Sequence, residues 1–538
     1  MSKAITERPG QGPQPEGGQP PAETAPSFVR ADEPRFARLA GMAGVMLAVL
    51  GGMALGLILA NRPSGLIGIN LGSICLLAGL VLMVLHAGAD RDLQIRRTYM
   101  VFGFALLIAG VVLCLVPSEG KVGGLFVAGY PCLLLAWLFL TASVRNEDEE
   151  PWRTSVLGVI GLVGAVLALT GFIGGNIGRG AFLEPHGLVL CLLGLAYLCT
   201  FVVIRRISDD LAYWTGVAMG VVGGIFFLIA LGRSVLPPLL YSWHWLGTRP
   251  APYVLPAGIL LMGLGLLYVL FSAGLCSDNR LAVMTRRELA AFFYSPVAYV
   301  VFLGWGVLGW WEFAQFVTKI TDWRALVEAQ QLAGPPVEPI VRYYFLSLFS
   351  IIGLVFIVPA LTMRLLSEER RMGTLEVLLT APVSETTVVL SKFFAALLFF
   401  LLLWVPWGLY LVALRLLGGE TFDSRPLLSF LVCLVCSGAG FVSMGLFFSS
   451  ITRNQIASAA MTFIGMTALT VVYVAWDIVR GLHRDSAWVP VLYHVSYLNL
   501  WADALAGKLA FRFPLFHLSA AVLWLFMTIK VLDARKWS

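Results

Sequence analysis

Leu366 to Ser384 reads LSEERRMGTLEVLLTAPVS, and it follows a run, YFLSLFSIIGLVFIVPALTM (Tyr344 to Met363), that carries no charge at all. Glu368, Glu369, Arg370 and Arg371 at the centre of a membrane-spanning helix would each cost about 2.5–3.5 kcal/mol, on the order of 10 kcal/mol together. The apolar run must therefore end near Met363. Beyond it, Met372, Leu375, Leu378 and Leu379 recur at helical spacing, Pro382 stops the pattern, and Ser384 with Glu385 reads as the cap and first turn of a new helix. The spacing predicts a short amphipathic helix lying under the membrane between two spans. A simple connection needs about two to eight residues and this one uses about twenty. Two readings stand open: a plain interfacial loop helix, or a docking element that meets a soluble partner and moves the spans.

Of the 538 residues, 59% are hydrophobic and only 13% charged, with a mean hydropathy of +0.84. A soluble protein of this size would carry roughly twice that charge fraction. Apolar runs of about 18–25 residues recur near residues 50, 76, 107, 133, 165, 196, 225, 265, 307, 354, 400, 439, 467 and 523. The fold class is thus an all-α polytopic membrane protein with about 14 transmembrane helices. Lys and Arg collect in alternate connections, most clearly in DRDLQIRR (Asp90 to Arg97) and RRISDD (Arg205 to Asp210), which predicts an N-in/C-in orientation. Residues 1–35, rich in Pro, Gly, Gln and Glu and without a signal-peptide core, are expected to form a disordered cytoplasmic tail. The eight cysteines lie almost entirely within apolar runs, with neither disulfide nor zinc spacing.

Three blocks resemble the ABC-2 type permease family, the membrane subunits of ATP-driven exporters, and within it the permease associated with gliding motility. They are MTRRELAAFFYSPVAYVVF (Met284 to Phe302), VPALTMRLLSEERRMGTLEVLLTAPVSETTVVLSKFFAALLFF (Val358 to Phe400) and LFFSSITRNQIASAAMTF (Leu446 to Phe463). VLDARKWS (Val531 to Ser538) is a fainter echo, so the resemblance covers about residues 280–538. It implies an N-terminal bundle of about eight spans (36–276) fused to a six-span permease module (277–538). Within the module it implies an elbow helix (about 283–296), a coupling helix (about 366–383) and an extracellular or re-entrant segment (about 481–513). In the elbow helix, Arg286, Arg287 and Glu288 would precede the membrane-facing Phe292 and Phe293. In the coupling helix, Glu368, Glu369, Arg370 and Arg371 would face an ATPase while Gly373, Thr374 and Glu376 shape the contact. Thr452, Arg453, Asn454 and Gln455 read as a tight cytoplasmic turn with a secondary contact as the alternative. Trp488, Tyr493, Tyr497 and Trp501 read as interface aromatics.

The phosphate-binding loop G-x-x-x-x-G-K-[ST] does not occur in the chain, so the resemblance puts ATP and its Mg on a separate ATPase polypeptide, and this chain is expected to bind no cofactor or metal itself. The implied partners are that ABC ATPase, a second permease chain as homodimer or heterodimer, an optional auxiliary extracytoplasmic subunit and the lipid bilayer, with no nucleic acid; the implied location is the inner, cytoplasmic membrane. No catalytic constellation is visible: Glu312, Arg233, Arg415 and Asp477 fall near predicted span ends and Lys392 about two turns into its span, all within snorkelling reach, and the six histidines are scattered. The expected function is an export permease subunit rather than an enzyme. A membrane scaffold that passes ATPase motion to a cell-envelope machine is the alternative, and a polytopic transferase the distant one. Small residues in the N-terminal half, Gly52, Gly56, Gly161, Gly164, Gly220 and Gly224, predict close helix packing.

Overall fold

The computed structural model describes residues 33–61, 66–89, 92–115, 124–145, 147, 149–177, 186–205, 209–245, 248, 257–294, 296–330, 341–374, 383–418 and 425–536. Among them there are helices and no strand. Eleven helices are long and apolar enough to cross a membrane, and three apolar stretches of under eighteen residues, Leu39–Ala54, Gly72–Gly88 and Gly129–Arg145, fall at the remaining predicted centres. The chain is a multi-pass membrane protein. The expected tail lies outside the described residues as far as residue 32, and the first helix begins at Glu33.

The first half is built of consecutive helical hairpins. Glu33–Asn61 (α1) packs along Leu66–Ala89 (α2), Leu93–Leu115 (α3) along Gly124–Arg145 (α4), Glu150–Ile177 (α5) along Leu188–Arg205 (α6), and Asp210–Ser242 (α7) along Ile259–Cys276 (α8). In lipid, apolar side chains gain little by leaving the surrounding tails, so helices associate through close backbone approach at small residues. Each hairpin has such a crossing. A methyl group on Gly51 would meet the Leu76 backbone nitrogen at 2.4 Å, and one on Gly129 the Gly110 carbonyl at 2.9 Å. One on Gly194 would meet the Ala168 nitrogen at 2.6 Å, and one on Gly265 the Gly223 carbonyl at 2.6 Å. Gly161, Gly164 and Gly220 also pack closely, whereas Gly52 meets no atom of the described residues within 4 Å and its neighbour Gly51 makes the contact. Asp209 caps α7 by accepting from the Leu211 N–H at 3.0 Å, and the Arg205 hydrogen bond to it, with that backbone bond, holds its carboxyl below the usual range.

The second half opens with Arg280–Tyr294 (α9) and Pro296–Gln330 (α10), then Val341–Phe345 (α11), Leu348–Thr362 (α12) and Ser367–Met372 (α13). Glu385–Leu403 (α14) breaks at Trp404 into Val405–Gly418 (α15). Arg425–Ile451 (α16), Gln455–Leu482 (α17), Trp488–Val495 (α18), Tyr497–Leu505 (α19) and Arg512–Lys536 (α20) complete it. Side-chain caps set the starts: Ser347 accepts from Ser350 N at 3.1 Å, Ser384 from Thr387 N at 3.3 Å as its sequence position predicts, and Asn454 from Ile456 N at 2.9 Å. Buried apolar side chains of the two halves form two large clusters. Helix α2 touches α10, α4 touches α15, and Val412 of α15 packs on the N-terminal cluster.

The second core is dominated by aromatic rings. Trp305 and Trp407 stack at 4.9 Å, Trp404 meets Trp501 edge-on at 5.6 Å, and Trp407 and Trp501 are fully buried. Trp501 donates its indole N–H to Ser437 Oγ at 3.0 Å, near the middle of α16, so α19 dips deep into the helical bundle. Tyr497 and Trp501 are therefore core residues, which corrects their reading as interface aromatics; Trp488 is exposed and Tyr493 half-buried. Glu312 corrects its expectation too, since it is 6% exposed instead of snorkelling.

Candidate functional site

One end of the second half gathers α9, α13, the start of α14 and the α16–α17 turn. Helix α9 lies along α14, and Glu288 and Phe292, one turn apart on the same face, both turn toward it. Phe292 stacks on Phe399 of α14 at 5.0 Å and Phe293 meets the same ring edge-on at 5.6 Å. Arg286 donates to the carbonyls of Leu275 and Ser277, tying the end of α8 to α9, while Arg287 stays exposed.

At the centre is Lys392, about 10 Å along α14 from its first residue. Its ammonium donates to Glu288 Oε2 of α9 at 2.9 Å and to Glu369 Oε1 of α13 at 2.7 Å, and its side chain is 3% exposed. Reading Lys392 as a snorkelling residue is thereby corrected, because two carboxylates reach it where it sits. One cation thus joins three helices, and the second oxygen of Glu369 is buried with no hydrogen-bond partner. Burial strengthens each of these attractions and raises the cost of separating them.

Serines hold α13 from below. Ser449 Oγ of α16 accepts from the Leu366 and Ser367 N–H groups, both at 3.0 Å, and donates to the Met363 carbonyl at 3.3 Å. These backbone donors belong to the first turn of α13, where no helical carbonyl is available to them. Gly445, one turn earlier, lets Thr362 lie against the α16 backbone, since a methyl group there would meet Thr362 Oγ1 at 2.2 Å. Arg370 donates to the Ser450 carbonyl at 3.0 Å.

Glu369 and Arg370 are thus engaged inside the protein, Glu368 is half-buried, and Arg371, Met372, Gly373 and Thr374 form the exposed tip. Glu376 and the rest of the predicted apolar ladder, residues 375–382, lie outside the described residues. The expected uninterrupted helix is broken after Met372, because Gly373 adopts φ +72, the left-handed conformation that ends helices. Replacing Gly373 by valine should destabilise this turn by about 1–2 kcal/mol through backbone strain, and among the described residues no atom lies within 4 Å of the added carbon. Hydrogen exchange over residues 367–374 would rise in the valine variant and far less in Gly373→Asn. In the α16–α17 turn, Thr452 bonds the Phe448 carbonyl at 3.3 Å, Asn454 caps α17, and Arg453 is exposed.

Residues 326–492 match the family model described as ABC-2 family transporter protein. No curated protein and no solved structure matches the chain. The matched region takes in α13, Lys392, Ser449 and the α16–α17 turn, and begins after α9, so it is narrower than the resemblance drawn from the sequence blocks. An ABC-2 region is the membrane component of an ABC transporter, a family that works in general with an ABC ATPase and as paired membrane halves. Lys392, Ser449 and Gly445 were not among the residues that sequence reasoning selected. Glu369 and Glu288 stand 23 and 104 positions from Lys392, so only a lysine inside an otherwise apolar run hinted at the ion pairs.

Proposed function

We propose that this chain is the membrane-spanning permease subunit of an ABC-2 type export system, driven by a separate ATPase subunit that carries the ATP and Mg. The observation that carries the reading is the Lys392 cluster, which couples a surface turn to the helical core. The exposed tip from Arg371 to Thr374 is the docking surface, and α13, α9 and α14 move together when it is pushed, because the same ammonium holds all three. This end faces the cytoplasm, with fourteen spans, both termini inside the cell and the cytoplasmic membrane as location. A second permease half, identical or related, completes the transporter. Likeness to the gliding-motility permease rests on the sequence blocks alone.

The test is affinity purification of the tagged protein from its native membrane in mild detergent, with mass spectrometry, beside an Arg371→Glu/Met372→Asp variant. These side chains are exposed and make no contact in the core, so the variant should insert normally. An ABC ATPase should accompany the native chain and fall at least about tenfold in the variant, as expected when contacts worth about 1.4 kcal/mol or more are lost. Absence of any ATPase from the native purification would sink the reading and also its scaffold counterpart, because both need the engine.

A further inference from the structure

At the end of the second half remote from Lys392, a cavity of about 440 Å3 opens between α18 and the first turns of α20. Helix α17 runs away from the Lys392 end for 28 residues, about 40 Å, before the chain reaches this place. Val491, Tyr493 and His494 of α18 face Arg512, Phe513 and Phe516 of α20 across it. The imidazole of His494 sits 4.9 Å from the Phe513 ring and 5.1 Å from the Phe516 ring. The Arg512 guanidinium lies 4.8 Å over the Phe513 ring, and among the described residues no hydrogen bond or ion pair takes up its N–H groups. Tyr493 donates its hydroxyl to Asp503 Oδ2 at 2.6 Å. Phe511 and Leu515, the chain neighbours of the lining residues Arg512 and Phe516, are exposed apolar side chains, as is Trp488 at the start of α18.

Position decides what such a pocket meets. The apolar run of α20 starts at Arg512, which sets the guanidinium at the level where acyl chains give way to headgroups. A free guanidinium beside an imidazole selects an anion, and its planar fork suits a phosphate. The volume falls in the range of small-molecule pockets, about 300–1,000 Å3, and exceeds what a lone phosphate fills. Aromatic and aliphatic lining, with exposed apolar neighbours at Phe511 and Leu515, suits an acyl chain. We propose that this cavity binds a phosphate-headed, anionic amphiphile, with the head held by Arg512 and His494 and the chains lying over Phe511 and Leu515 toward the bilayer. The proposal depends on the chain spanning a membrane and not on its being a transporter, so it stands or falls separately from the ATPase test.

The experiment uses the purified full-length protein in neutral detergent and equilibrium binding of radiolabelled dihexanoylphosphatidylglycerol. The expected result is saturable binding that weakens roughly tenfold or more in Arg512→Gln and measurably in His494→Gln, since a charge-assisted hydrogen bond is among the stronger single contacts. Arg484→Gln, an exposed arginine at the same end and outside the cavity wall, should bind as the native protein does. Dihexanoylphosphatidylcholine should bind more weakly, and glycerol 3-phosphate should not compete at equal concentration. Native-like binding by both cavity variants overturns the proposal. So does competition by glycerol 3-phosphate equal to that of the lipid, which would make the cavity a plain phosphate site, or equal loss in Arg484→Gln, which would mean attraction to surface charge at large.

Discussion

Replacing Lys392 by methionine should lower the thermal unfolding midpoint of the detergent-purified protein by roughly 3–5 °C. Methionine fills a similar volume, so the loss is electrostatic: Glu288 and Glu369 remain near each other with their shared cation gone. Breaking a buried ion pair from one side costs about 3–5 kcal/mol, because the remaining charge keeps its desolvation penalty without its attraction. The same physics gives a sharper check. Glu288→Gln and Glu369→Gln in the methionine background remove the stranded charges and should recover most of the lost midpoint. If the triple variant is no more stable than the single one, the triad is not what holds the three helices. Coupling should separate from stability here, since the triple variant folds but has no ionic tie between α13 and α14.

Ser449→Ala should have the second largest effect, about 2–4 kcal/mol at this site, because one hydroxyl satisfies two buried backbone donors. Alanine leaves both N–H groups of Leu366 and Ser367 facing a methyl group. Each orphaned donor carries a desolvation cost of about 1–3 kcal/mol. Amide exchange at these two residues should accelerate at least about thirtyfold, as 2 kcal/mol dictates if exchange follows local opening. Ser449→Thr keeps the hydroxyl and serves as the control. Unchanged protection in the alanine variant would show that α13 is held elsewhere.

Much of this architecture was written in the local pattern of the chain. Helix positions followed from apolar runs of bilayer length, and the break after Met363 from the charges that no bilayer accepts. The cap at Ser384 and the amphipathic α9 were equally local. What stayed hidden depends on partners far away in sequence. Lys392 looked like a snorkelling lysine because its distance from the span end permits that, and nothing nearby in the chain reveals Glu288 arriving from α9. Gly373 was assigned to the contact surface, but its left-handed conformation also ends the helix, which periodicity across Met372 and Leu375 concealed. Tyr497 and Trp501 share the composition of interface aromatics, and only the dip of α19 to Ser437 separates core from boundary. Glycine spacing forecast close packing in the first half, yet missed the register at Gly52 by one residue, since every second or third position there is small.

The paired helices of the first half bear on how such a chain is made and how it changes over generations. Each hairpin closes its own glycine crossing, so its two helices can leave the insertion machinery as a unit without waiting for later segments. In the proposed fourteen-span arrangement each would also return the chain to the side from which it started. Duplication or loss of one whole hairpin would leave the orientation of every downstream helix unchanged, whereas gain or loss of a single helix would turn the entire second half over. A lineage could lengthen or shorten this half in steps of two and keep the machinery behind it facing the same way.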